Sequence, residues 1–193
     1  MKKYLIAVIA VLSIAGTASA QTFNLGVKGG LNVYNLAGDD IEGTDAKVGF
    51  HLGLLGHIHV AKQFAIQPEL VYSAQGAQSD GNDDVKLNLN YVNVPVLFQY
   101  MFDNGFRLEA GPQIGFNVSA KSKEGDTSVD IKDNIKGIDL SLAVGASYVH
   151  VPSGFGVDAR YNHGLTSISE NSSADIFNRG FQVGVFYLFL HKN

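Results

Sequence analysis

The chain has 193 residues and no cysteine. Disulfides and lipoprotein processing at a cysteine are both excluded. A secreted domain of this size without cross-links must close by hydrogen bonding and packing alone. Basic residues are scarce: 14 Lys and Arg stand against 18 Asp and Glu, and two of the lysines lie within the first three residues. That is no footprint for nucleic acid, and no nucleic-acid partner is expected. Long apolar runs are also missing after residue 20, which excludes a later membrane helix, since one needs roughly 20 apolar residues. It does not exclude a membrane, because barrel strands carry a much weaker signal per segment.

At the start, Lys2 and Lys3 precede an apolar run from Tyr4 to Gly16 that only Ser13 interrupts, and Ala18-Ser19-Ala20 follows. Basic start, short apolar stretch and small residues define a secretory signal peptide over 1–20, cut before Gln21. A single membrane anchor is the competing reading, and the run is short for it. The remainder, 21–193, reads as one domain with neither linker nor repeat.

That domain alternates at period two throughout, the mark of strands with unlike faces. In Phe23–Val33 the odd positions are Phe, Leu, Val, Gly, Leu and Val, between Asn24, Gly26, Lys28, Gly30 and Asn32. The same holds for Ala46–Val60, Phe64–Ser73, Val92–Tyr100, Phe106–Val118, Ile138–Tyr148, Phe155–Gly164 and Phe181–Phe189. About eight strands is the smallest count of outer-membrane barrels, and an even antiparallel set closes without an edge. Short connections at 61–63, 103–105 and 152–154 alternate with long polar ones at 37–45, 75–86, 119–136 and 166–178. Short turns belong on the periplasmic side and long loops outside. The expectation is an all-β, eight-stranded antiparallel up-and-down transmembrane barrel in the outer membrane, with periplasmic termini and four extracellular loops.

A soluble barrel would also alternate, with its apolar face inward. Here the other face is rich in Gly, Ala and Ser, as a narrow packed lumen requires. Phe23, Tyr34, Phe64, Tyr72, Tyr100, Phe106, Phe155, Tyr187 and Phe189 recur near strand ends, as interfacial aromatic girdles do. The apolar face therefore points to lipid. Lys28, Glu69, Glu109 and Arg160 fall inward near mid-height, with Arg107 and Asp158 as a second layer nearer the periplasm. In so narrow a lumen these charges should meet one another, Arg160 with Glu69 or Glu109 above all.

Other candidates carry less. His57 and His59, with His51 further along the same face, could share a metal, but no carboxylate completes the set in sequence. Asp80, Asn82 and Asp84 begin like a calcium loop, yet Val85 stands where Gly is needed and Tyr91 where Glu is needed. Asp39, Asp40, Glu42 and Asp45, with Asp80, Asp83 and Asp84, keep two loops soluble or hold cations that bridge lipopolysaccharide. His163, near Ser167 and Ser169, lacks any strained nucleophile motif. No catalytic residue, metal or cofactor is expected, and the chain does not read as an enzyme.

Several stretches occur in an order that resembles a known family: GVKGGLNVYNL at 26–36, VGFHLGL at 48–54, QPELVYSAQG at 67–76, NYVNVPVLFQY at 90–100, RLEAGPQIGFNVSA at 107–120 and DARYNHGLT at 158–166. With 180–189 they resemble the PorT-like outer-membrane β-barrel proteins, a branch of small porin-type barrels. The resemblance implies the fold and the outer membrane, and little about activity. It also implies that aromatic Phe189 serves as an assembly signal for the barrel-assembly machinery, although His191, Lys192 and Asn193 extend past it. The leading expectation is a monomeric barrel with a filled lumen, acting through its loops and in contact with outer-membrane lipid. A narrow channel for ions or small solutes is the alternative, and a lipid-modifying enzyme the second.

Overall fold

Period-two alternation becomes nine strands in the computed structural model, which describes residues 23–38, 44–79, 82–170 and 175–189. The expected leader and its cleavage point lie outside the described residues. The strands are β1 (Phe23–Ala37), β2 (Thr44–Ala61), β3 (Phe64–Ser79), β4 (Asn82–Met101), β5 (Phe106–Glu124), β6 (Thr127–Asp130), β7 (Ile138–His150), β8 (Phe155–Gly164) and β9 (Phe177–Leu188). All pair antiparallel with chain neighbours, except that β7 pairs with β5 across β6, and β9 returns to β1. The ring of β1–β5 and β7–β9 is closed, so no backbone edge faces lipid. The short β6 pairs only with β5, outside the ring.

Burial is inverted relative to a water-soluble domain. Val185 and Phe181 are each 61% exposed, while Arg160 is 2% exposed and His57 fully buried. Lipid rather than protein covers the apolar faces, and the polar faces close on themselves. The short turns arise where expected. At 103–105 the Asn104 side-chain oxygen accepts from the Phe106 N–H at 3.0 Å. Gly105 there adopts φ 89°, a conformation that glycine reaches without steric cost.

Above the lipid belt the strands run further than the hydropathy pattern indicates. The expected loop at 75–86 is mostly paired strand, reaching Ser79 on β3 and starting again at Asn82 on β4. Similarly, the expected loop at 119–136 contains the end of β5 and all of β6. At 121–130 the residues are largely exposed, and at 75–79 Gln75 and Ala77 turn into the interior without an apolar marker, so alternation fades while backbone pairing persists. In β4 the apolar parity also switches: Leu89 and Tyr91 point inward at odd positions, whereas Phe98 points outward at an even one. A bulge in β5 at Val118, between the pairs Tyr91↔Asn117 and Asn90↔Ser119, brings Ala120 inward beside them.

One girdle assignment is corrected. Tyr34 lies on the inward parity of β1, 2% exposed, and its hydroxyl accepts from Asn162 Nδ2 at 2.9 Å. The other aromatics form contacts on the outer wall. Phe64–Tyr100, Tyr100–Phe102 and Phe155–Tyr187 lie 5.3, 4.9 and 4.7 Å apart at the short-turn end. Tyr161–Phe181, at 4.8 Å, lies nearer the long-loop end.

Candidate functional site

Strand parity sends charged residues from β1, β3, β5 and β8 into one lumen, and the register decides which of them meet. Glu109, Gly145 and Arg160 occupy one row across β5, β7 and β8. Gly145 between them carries no side chain, which leaves Arg160 a clear path to Glu109. Arg160 donates from Nε to Glu109 Oε1 at 3.1 Å and from Nη2 to the same oxygen at 2.8 Å. Its Nη1 and Nη2 also donate to the two oxygens of Glu69, at 3.0 and 2.9 Å. One guanidinium thus ties β8 to β3 and β5, bidentate on Glu69. Gln67 Nε2 and Gln99 Nε2 add donors to Glu69 and Glu109, each at 2.8 Å.

Lys28 sits beside this core, 3.4 Å from Glu69 Oε2 and 3.2 Å from Asp158 Oδ1. Arg107 and Asp158 fall in one layer as expected, but they do not pair with each other. Arg107, Ser147, Asp158, Gly184 and Gly30 do share a row. The bare Gly184 and Gly30 leave room on the β1 side, and Asp158 uses it to reach Lys28. Among the described residues Arg107 makes no ion pair, and its Nη1 has no hydrogen-bond partner.

Toward the long loops the lumen continues as a hydrogen-bond network of mostly uncharged groups, with Asp139, inward on β7, as the further buried carboxylate. Asn32 Nδ2 donates to Ser73 Oγ and to the Phe50 carbonyl, both at 2.9 Å, and His51 Nδ1 donates to Asn32 Oδ1 at 2.8 Å. Two apolar clusters bound the polar interior. Leu36, Ala77, Leu89, Tyr91, Ala120 and Ile168 pack at the long-loop end. Leu55, Val149, Phe186 and Leu188 pack at the other. The sequence reading missed both seals. The signal for the first was the alternation of Leu87, Leu89 and Tyr91 with Lys86, Asn88 and Asn90.

His57 and His59 meet edge to face with centroids 4.6 Å apart, while His51 is held by Asn32. Among the described residues no three His, Asp or Glu side chains are grouped to hold a metal. His163 faces outward, and Ser167 Oγ accepts from the Ile176 N–H at 3.1 Å. Ser169 bridges to Ile135. Asp39, Asp40, Glu42 and Asp80 lie outside the described residues, as do His191, Lys192 and Asn193. Phe189 is exposed beside Tyr187, its ring 5.5 Å away, and its N–H donates to the Leu25 carbonyl.

A closed eight-stranded ring with an apolar wall and a charged interior is the architecture of a small bacterial outer-membrane protein. The family model described as "Outer membrane protein beta-barrel domain" matches residues 19–170. The chain belongs to that family. As an outer membrane β-barrel domain protein, it crosses the outer membrane with its strands. No curated protein matches the chain. Solved barrels resemble it in fold. Neisserial surface protein A aligns with 12% identity over 88% of this chain and 99% of its own, at a TM-score of 0.58. Ail, the attachment invasion locus protein of Yersinia pestis, aligns with 15% identity over 86% of this chain and 98% of its own, at a TM-score of 0.54. Within this outer membrane β-barrel domain, the charged mid-lumen and the outer rim are the places where chemistry concentrates.

Proposed function

We propose that this barrel is a closed scaffold that acts through its four long loops at the cell surface and does not conduct. The supporting observation is the Arg160–Glu69–Glu109 lattice across mid-lumen, reinforced by Lys28 and Asp158. An eight-stranded interior is only wide enough for its own side chains, and at mid-height these meet across it. The short turns and both termini then face the periplasm, in keeping with the alternation of short and long connections. We assign the likeness to PorT-like proteins, cleavage before Gln21 and a monomeric state to the same reading. Single-channel recording on the refolded protein in planar bilayers tests it, with no steady current expected. A steady ohmic conductance from the parent protein would overturn the closed scaffold.

A narrow channel is the second reading. Gln67 Oε1, Gln99 Oε1, Arg107 Nη1, Ser147 Oγ and both ring nitrogens of His57 are buried without hydrogen-bond partners. Buried polar atoms of this kind call for water. Water on the short-turn side of the lattice would bring a conducting path up to one barrier.

Assembly through the barrel machinery rests on Phe189, exposed on the outer wall just past β9. Phe189→Ser should lower heat-modifiable, membrane-integrated protein several-fold while leaving the unfolded precursor intact. A polar change at Thr166, at the far rim, serves as the control. Equal yields from the two variants would refute the signal role.

A further inference from the structure

The outer wall carries one polar row where apolar residues are the rule. Rows across β1, β9 and β8 can be read from the register. Val27, Tyr187 and Phe155 form one row, Leu31 and Val183 belong to another, and Val33, Phe181 and Tyr161 form a third, all outward. The next row is Asn35, Arg179 and His163. One row further, Phe177 returns opposite Ala37. The chain has three arginines. Arg107 and Arg160 are buried in the lumen, whereas Arg179 is exposed on the outer wall.

Arg179 opens onto a groove of about 440 Å³, lined also by Gly38, His163, Gly164, Leu165 and Phe177. Leu165 is 57% exposed beside it, and the Tyr161–Phe181 pair lies directly below. Among the described residues no carboxylate pairs with Arg179. The groove therefore combines a planar cation, an imidazole and an apolar floor that continues into the lipid-facing wall.

We propose that this groove binds the phosphate of an outer-leaflet lipid. Arg179 is the principal phosphate ligand, His163 a second donor, and the acyl chains run down over Phe181 and Val183. A guanidinium forks onto two phosphate oxygens, which makes Arg the suited residue where a planar cation meets a phosphate. The position fits, because headgroups lie where the apolar rows of a barrel end. A soluble anion would have no use for Leu165, Phe177 and Phe181. The choice of leaflet rests on the orientation proposed above.

The test uses the full-length protein purified in detergent and incubated with lipid A carrying both phosphates or enzymatically stripped of them. Native mass spectrometry reads the retained lipid. The intact protein should hold the phosphorylated form at least about tenfold better than the stripped form. Arg179→Gln should abolish that preference, while Lys62→Gln at the opposite rim keeps it. Equal retention by Arg179→Gln and the parent overturns the site. Displacement of lipid A by millimolar inorganic phosphate also overturns it, since the ligand is then a free anion. Orientation is read separately: the chain has no cysteine, so Ser128→Cys on β6 should react with an impermeant maleimide on intact cells. Unreactive Ser128→Cys with phosphate-dependent retention intact overturns the leaflet assignment and leaves the phosphate site standing.

Discussion

Arg160→Ala should be the most damaging single side-chain change inside this barrel. It removes four hydrogen bonds and leaves Glu69 and Glu109 facing each other, nearly fully buried. Lys28 remains on Glu69 alone of the two carboxylates, so Glu109 keeps only Gln99 as a donor. Breaking a buried pair by removing one partner typically costs about 3–5 kcal/mol. Urea titration in lipid vesicles, with folded and unfolded forms separated on unheated gels, should show the midpoint fall accordingly. The same variant should conduct in planar bilayers, because the barrier at mid-lumen is then a space rather than a side chain. Arg160→Lys should fall between, since an ammonium keeps the charge and loses the fork. A variant as stable as the parent and equally silent would refute the lattice as both brace and plug.

The second large effect should come from a glycine pair at the closure seam. Gly30 on β1 stands opposite Gly184 on β9. A Cβ added at Gly30 would lie 2.1 Å from the Val183 carbonyl oxygen, 2.5 Å from Gly184 Cα and 2.8 Å from His51 Cε1. The first two are backbone and cannot swing aside. The His51 ring and the Asp158 carboxylate share the volume that the two glycines vacate. Gly30→Val should therefore keep β1 and β9 from registering, and overpacking at a rigid site costs about 1–3 kcal/mol or more. Gly29 is the matched control, one residue away on the lipid face. There a Cβ would meet Leu52 Cδ1 at 3.4 Å and the His51 carbonyl at 3.5 Å. Gly29→Ala should assemble nearly as the parent does, and Gly30→Val should collapse the folded fraction several-fold on unheated gels. Similar folded fractions for the two would show that the seam tolerates side chains on both faces.

How much of this was legible beforehand depends on how local the signal is. Strand parity is local, so the inward set Lys28, Glu69, Glu109, Arg107, Asp158 and Arg160 could be read directly, along with the closed eight-stranded ring. Tyr34 was misassigned because its residue type suggested a girdle, whereas its even position in β1 already placed it beside Asn32. Partner choice in the lumen is not local. Asp158 turns to Lys28 because Gly184 and Gly30 intervene on that side, which becomes visible only once β9 is registered on both β1 and β8. The apolar seals were hidden for a different reason. Leu36, Leu89 and Ile168 come from three distant parts of the chain, and in β4 they reverse the parity that marks lipid contact lower down. Gln75–Ser79 and Lys121–Glu124 read as loops for different reasons: Gln75 and Ala77 turn inward to the lumen and the upper seal, where a polar and a small residue carry no apolar marker, whereas water around Lys121–Glu124 removes the alternation, and the backbone pairing persists in both.

The mid-lumen charges have an electrical consequence. Lys28, Arg107 and Arg160 carry three formal positive charges, and Glu69, Glu109 and Asp158 carry three negative ones; the further buried carboxylate, Asp139, lies outside this layer, nearer the long loops. A potential across a bilayer acts on net charge with about 2.3 kcal/mol per elementary charge per 100 mV. A layer that sums to zero feels no such pull, only a weak torque on its internal dipoles. On the closed-scaffold proposal, voltage therefore finds no net charge in this layer by which to draw it in either direction, unlike a closure hung on one unbalanced basic or acidic side chain. Removing Arg160 unbalances the layer by one negative charge. Any current that then flows should prefer cations and respond to the sign of the applied field.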